Sequence, residues 1–463
     1  MIRLSLLAAL AVVAVVVVGV AGRALYERPQ RGLLLVAALT PFHGLLLIVP
    51  NGASLAGWKE GVLVLSLLAT FVTPNRPPRP RLSLPWLPAA AAFVVIGCIS
   101  AVIALRGNAM VPIKITFFYL IVVTLIVWRT PLTARDRDHL VTIIMVAATV
   151  TAAWGIAQQF LGAPFLVGLG YEYNTAVRTA GPLLRSFSTF IQPFPFGLYI
   201  LMAVLVGGAV ALQDTSRLRN KLFLAAMPVL IVGMGVSIVR AAYLGLIVGL
   251  VWLAIHRYRY LFGVLAAGAL VGGLGMLVIP RRITDSMFSS SSLGQRTDGW
   301  SKIGVDIATN PFGQGLGSTG SAAEKLATAS GINEKYLMVL QKLNPALGYQ
   351  PDNYYVKILL EVGPVGLWLL VLLLVSVAVS TLRASRLTTG ADAAFCLGVS
   401  ASVVSACVAA FVSTYFEIFP LDYYFWLLAA AVGCAVVQGQ TESVPESPEP
   451  ATARGQWKTS AYA

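Results

Sequence analysis

Residues 353–382 read NYYVKILLEVGPVGLWLLVLLLVSVAVSTL, and after Lys357 and Glu361 no charge appears until Arg383. About 20 predominantly apolar residues are what an α-helix needs to cross the hydrocarbon core of a bilayer. A backbone in lipid must also satisfy its own hydrogen bonds, which a helix does and an irregular chain does not. The stretch therefore reads as a transmembrane helix. Comparable apolar windows recur over 4–22, 33–50, 61–73, 87–105, 111–128, 140–160, 193–212, 222–239, 241–256, 260–280, 392–412 and 420–438. The expectation is an all-α polytopic transmembrane helical bundle of about 12–13 spans, with residues 1–463 as a single membrane domain. Composition agrees: 57% of the 463 residues are hydrophobic and 11% charged, against roughly 25% charged in soluble domains.

The net charge of +14 does not point to nucleic acid, because the basic residues sit between apolar windows and not along one face. One set of alternate connections holds Arg23, Arg28, Arg31, Arg76, Arg79, Arg81, Arg129, Arg135, Arg137, Arg217, Arg219, Lys221, Arg257, Arg259, Arg383 and Arg386. The opposite short connections hold Lys59, Arg106 and Arg240. Sixteen against three predicts that the first set is cytoplasmic. The Glu-, Pro- and Ser-rich tail over 439–463 is then a disordered cytoplasmic segment. The first window, preceded by Arg3, reads as a retained helix and not a cleaved signal peptide. Two long connections, 161–192 and 281–350, fall outside the membrane. The second is the large extracytoplasmic loop, read as an ordered cap because it holds Trp300, Tyr336 and periodic apolar positions.

Neither the four cysteines, all inside apolar runs, nor the scattered His43, His139 and His256 have metal-ligand spacing, so no metal and no cofactor is expected. Arg135-Asp-Arg-Asp138 contains Asp-x-Asp but sits among cytoplasmic arginines and reads as a solvated charge cluster. Gly313-Gln-Gly-Leu-Gly317 lacks the preceding strand of a dinucleotide fingerprint. It reads as a tight turn shaping the loop, with backbone amides that could help hold an anion.

Four stretches concentrate polar chemistry at the non-cytoplasmic edge. Arg185-Ser-Phe-Ser-Thr-Phe-Ile-Gln-Pro-Phe-Pro-Phe-Gly-Leu-Tyr199 runs into the seventh window. Ser237-Ile-Val-Arg240-Ala-Ala-Tyr243 forms a tight helix corner. Arg296-Thr-Asp-Gly-Trp300 is followed by Asn310-Pro-Phe-Gly-Gln-Gly-Leu-Gly317. Asp352-Asn-Tyr-Tyr-Val-Lys-Ile-Leu-Leu-Glu361-Val-Gly-Pro-Val-Gly366 opens the eleventh window. In this order, across 185–366, they resemble the O-antigen ligase and polymerase superfamily of membrane glycosyltransferases. The first 180 residues resemble it in hydropathy alone.

The resemblance implies a metal-independent glycosyltransferase at the outer face of the bacterial cytoplasmic membrane, taking an undecaprenyl-diphosphate-linked oligosaccharide as donor and a glycan as acceptor. Arginine offers a permanent, forked set of donors for a leaving diphosphate. Arg185, Arg240 and Arg296 are the candidates, with Arg178 and Lys302 in reserve. An attacking sugar hydroxyl needs a proton acceptor. Asp352 stands where many members of the family have histidine, and its carboxylate has a second role open to it as a helix cap. Glu361 is the other catalytic candidate, against a structural hydrogen bond. Trp300, Tyr354 and Tyr355 offer aromatic surface for sugars. Asp352 in place of histidine and a high-GC-like composition favour polymerase over ligase. The rival reading is a flippase or exporter of lipid-linked oligosaccharide, which should line a bilayer path with charge.

Overall fold

The structure, a computed structural model, describes residues 22–72, 82–181, 183–278, 310, 312–320, 322–323, 325 and 353–442. The window 4–22 is therefore outside the described residues but for its last position. So are most of the 281–350 loop and the tail beyond Glu442.

Helices sit where the apolar windows fall. The first is α1 (Gln30–Leu39), prolonged by a tighter turn over Thr40–Leu47, then α2 (Trp58–Val72), α3 (Leu87–Leu105) and α4 (Met110–Arg129). Next comes α5 (Ala134–Gly168), started by a capping box in which Thr133 Oγ1 accepts from Asp136 N (3.2 Å) and Asp136 accepts from Thr133 N (2.9 Å). A small antiparallel hairpin, β1 (Arg178–Ala180) and β2 (Leu183–Arg185), pairs Arg178 with Arg185. It leads to α6 (Pro193–Gln213), with proline in its first turn, where a missing N–H costs nothing. The chain continues through α7 (Leu218–Ala225), α8 (Met227–Val236), α9 (Arg240–His256), α10 (Leu261–Val278), α11 (Tyr354–Leu387), α12 (Gly390–Ala409) and α13 (Leu421–Glu442).

Among the described residues eight helices are long and apolar enough to cross a membrane, and nine if α7 and α8, bent by 43°, make one span. This is a multi-pass helical membrane protein. The window 61–73 gives the 15-residue α2, and 222–239 is broken at Ala226–Met227, so these two windows do not yield straight full-length spans. α13 runs on to Glu442, beyond the point where the tail was expected to begin.

Hydropathy alone does not say which helices are central, since lipid and core are equally apolar. Burial does. In α6 and α13, 94% and 89% of the apolar window is buried, against 22% in α3. α12 packs between α6, α9 and α11. Its Gly398 lets the backbones meet, because a Cβ there would lie 2.9 Å from the Leu205 carbonyl oxygen and from Val206 Cα.

The connections sort to two ends. At one, Arg137 makes a forked ion pair with Asp392 (2.6 and 3.2 Å), and Arg219 and Arg217 both reach Asp138 (2.9 and 3.2 Å). The other end gathers sequence-distant loops. Gly44 N donates to Thr189 O (2.9 Å), Ser186 N to Val236 O (2.9 Å) and Tyr354 N to Ala410 O (2.8 Å).

Candidate functional site

The second end carries the motifs. Between β2 and α6 the chain dips inward as a buried strap over Ser186–Phe190. Ser188 has a left-handed φ of 55°, a strained choice for serine that neighbouring bonds must enforce. Two adjacent amides on α5 do so. Gln158 Oε1 accepts from Phe187 N (3.2 Å) and Ser188 N (2.8 Å), while Gln158 Nε2 donates to Ser188 O (2.9 Å). Gln159 Nε2 donates to Leu184 O (2.6 Å) and Ser186 Oγ (2.7 Å).

This strap fixes Arg185 at its start. One terminal nitrogen of Arg185 donates to Ile238 O (3.4 Å), and the guanidinium lies 5.4 Å from the centre of the Phe194 ring. Its Nε is buried without a hydrogen-bond partner among the described residues. Burial, followed by the like charge of Arg178, holds the guanidinium below the ordinary arginine range; the charge of Arg240 adds to the effect and Tyr243 opposes it. Arg178, across the hairpin, donates to Thr175 O (3.2 Å). Arg240 is the exposed first residue of α9, just after a corner in which Ile238 has φ 53° and Tyr243 Oη donates to Gly235 O (2.6 Å). Three guanidinium groups from β1, β2 and α9 thus converge. Arg185 makes no ion pair with a described carboxylate.

At the same end of the bundle α11 begins. The helix cap is Asn353, whose side chain accepts from Tyr355 N (2.9 Å) and Val356 N (3.2 Å). The capping role open to Asp352 is therefore filled by its neighbour. Asp352 itself lies outside the described residues, as do Arg296, Trp300 and Lys302. One turn on, Lys357 Nζ sits between Glu361 (2.7 Å) and Glu417 (2.8 Å), with all three side chains at most 3% exposed. Thr116 Oγ1 donates to Glu417 (3.2 Å).

Glu361 is also a clamp. Its second carboxylate oxygen accepts from Thr319 N (3.1 Å) and Thr319 Oγ1 (2.8 Å). Below it α11 is broken at Gly363 (φ 75°, ψ −174°), followed by Pro364. Proline has no N–H, so Leu360 O loses its helical partner. The glycine loop fills the vacancy: Gln314 N donates to Leu360 O (2.8 Å) and Gly315 N to Glu361 O (2.9 Å). Leu316 N donates to Ser100 Oγ (3.2 Å). The amides of Gln314, Gly315 and Leu316 are thus spent on protein and are not the ones that could hold an anion. The glycines serve close packing: a Cβ on Gly313 would stand 2.5 Å from Glu361 O, and Gly315 has φ 103°.

The proposed sugar surface at Tyr354 and Tyr355 meets a different environment. Tyr354 is 2% exposed with its ring against Phe416, and Tyr355 donates to Cys407 O (2.8 Å) with its ring on Phe411. Tyr354 is a core residue in this arrangement, because its ring fills the gap between α11 and the 415–417 turn.

Gln158, Gln159 and Glu417 were not anticipated. Two adjacent amides inside an apolar window are a readable signal, since polar groups at membrane depth are kept for a reason. Glu417 has no comparable local signature; only the fold brings it to Lys357. No family model matches the chain, and no curated protein matches it either.

Proposed function

We propose that the chain is a membrane glycosyltransferase that polymerises or ligates glycans from an undecaprenyl-diphosphate-linked donor, polymerase favoured over ligase. The proposed setting is the outer face of a bacterial cytoplasmic membrane. The observation that carries this reading is Arg185, half-buried beside two further arginines and with an Nε that has no partner among the described residues. Three guanidinium groups on neighbouring elements are suited to a polyanionic leaving group. The cluster belongs to the end whose short connections are poor in basic residues, which favours the outer face.

In the proposed reaction an acceptor hydroxyl attacks the anomeric carbon of the lipid-borne sugar. The carbon–oxygen bond to the diphosphate breaks, and the charge left on that oxygen is taken up by Arg185, Arg178 and Arg240. Arg296 and Lys302 complete the set in this proposal, with Trp300 as a sugar platform. The hydroxyl proton passes to Asp352. Glu361 is assigned a positioning role, because both its oxygens are engaged by Lys357 and Thr319. The flippase reading is disfavoured: the charges within α11 before its last turns, Lys357 and Glu361, lie near one end and bind each other.

The test is purified protein in proteoliposomes with undecaprenyl-diphosphate-linked oligosaccharide. Longer lipid-linked chains are expected for a polymerase, and transfer to a separate acceptor for a ligase. Translocation of the donor without new glycosidic bonds would overturn the reading.

A further inference from the structure

The glycine loop descends well below the helix ends. Gln314 and Gly315 bond to Leu360 and Glu361, six and seven residues into α11 from Tyr354. At about 1.5 Å per residue that is ~10 Å along the helix. On α3 the loop meets Ser100, five residues short of Leu105, which gives about 7–8 Å from that helix's end. A hydrocarbon core of about 30 Å inside a bilayer of about 40–45 Å begins only ~6 Å beneath the headgroup boundary. Phe312 is 85% exposed, and Ile103, Val365 and Trp368 are exposed on the adjoining stretches of α3 and α11.

We infer that residues 312–320 form a re-entrant loop, with the Phe312 side chain seated among the acyl chains of the leaflet at this end. Irregular backbone is tolerated at that depth only where its polar groups are satisfied within the protein. Six of the loop amides meet this condition, while the buried Ser318 hydroxyl has no hydrogen-bond partner among the described residues. Gly313 N donates to Asn310 O (2.9 Å) and Ser318 N to Gly315 O (3.1 Å); Gln314, Gly315, Leu316 and Thr319 donate to α11 and α3. The segment read from sequence as part of an external cap therefore has its base inside the membrane. Phe312 and the exposed faces of α3 and α11 make one continuous lipid-facing surface. The inference rests on the membrane fold alone and stands or falls independently of the transferase reading.

The test uses the full chain reconstituted in phosphatidylcholine–phosphatidylglycerol liposomes. A nitroxide is placed at Phe312→Cys, after replacement of Cys98, Cys396, Cys407 and Cys434, with Ser216→Cys as the aqueous control. At Phe312 collisions with oxygen should exceed those with a water-soluble nickel chelate, giving a ratio well above that at Ser216. A ratio at Phe312 equal to that at Ser216 would overturn the inference. Unmodified protein gives a second measurement, in liposomes doped with a phospholipid carrying a photoactivatable diazirine on its acyl chain. Labelling of the peptide holding Phe312 is expected; labelling confined to the long helices would overturn the inference.

Discussion

Replacing Lys357 by Met tests whether the buried charge cluster holds the loop to the bundle. Methionine keeps most of the side-chain length and removes the ammonium. Glu361 and Glu417, 0% and 3% exposed, would then face each other without a counter-charge. Thr319 and Thr116 remain as neutral donors, one to each carboxylate. Breaking a buried ion pair by removing one partner costs about 3–5 kcal/mol. At about 1.4 kcal/mol per decade, that is about a hundred- to several-thousand-fold in the unfolding equilibrium. Thermal unfolding can be followed with a thiol-reactive fluorophore, because Cys396 and Cys434 are buried in the folded state. Lys357→Met should melt well below the unaltered chain. The triple variant Lys357→Met, Glu361→Gln, Glu417→Gln carries no charge at the site and should recover most of the loss. A silent single substitution, or a triple variant no more stable than the single, would refute the ion-pair account.

Arg185→Lys keeps the charge but loses the planar fork, so lipid-diphosphate binding should weaken about tenfold or more with unchanged melting; an unchanged Kd for the donor would remove Arg185 from the anion site. Asn353→Ala should cost about 1 kcal/mol of stability by uncapping α11, whereas Asp352→Asn should leave melting unchanged and lower turnover by about 10²–10⁴ if Asp352 accepts the proton. Normal turnover in Asp352→Asn would exclude it as the base. For topology, an impermeant thiol reagent on intact cells should modify a cysteine at exposed Asn174 and spare one at exposed Ser216; the reverse pattern would invert the orientation and the site with it.

The helices were legible because a bilayer imposes a length on every span, and the windows from 33–50 to 420–438 each meet a helix. Where a window failed to give a straight span, the cause is local chemistry the hydropathy sum ignores. Pro228 near the start of α8 cannot donate back into α7, and the helix bends there. The convergence of Arg185 with Arg240 was readable from the placement of their motifs at one membrane edge. The Lys357–Glu361 pair was readable from its i, i+4 spacing. The clamp on the glycine loop was not. It depends on Gly363–Pro364 freeing a carbonyl for the glycine loop, and on Ser100 lying opposite, more than two hundred residues from both segments.

The two ends differ in a way that bears on function. At the arginine-rich end the charges close upon one another: Arg137 with Asp392 and Gln438, Arg219 with Asp138 and Thr142. Such pairs tie helix ends together and leave little for a ligand to do. At the opposite end the helices are interrupted, at Gly162 in α5, at Ile238 before α9 and at Gly363 in α11. Irregular backbone within a membrane protein is costly unless it is buried in protein or lines a water-filled cavity. Here the interruptions have specific consequences. The corner at Ile238 offers a carbonyl to Arg185, and the break at Gly363 anchors the loop that continues from the Asn310 motif. Helical regularity is thus given up at the end that carries Arg178, Arg185 and Arg240 and the entry of α11.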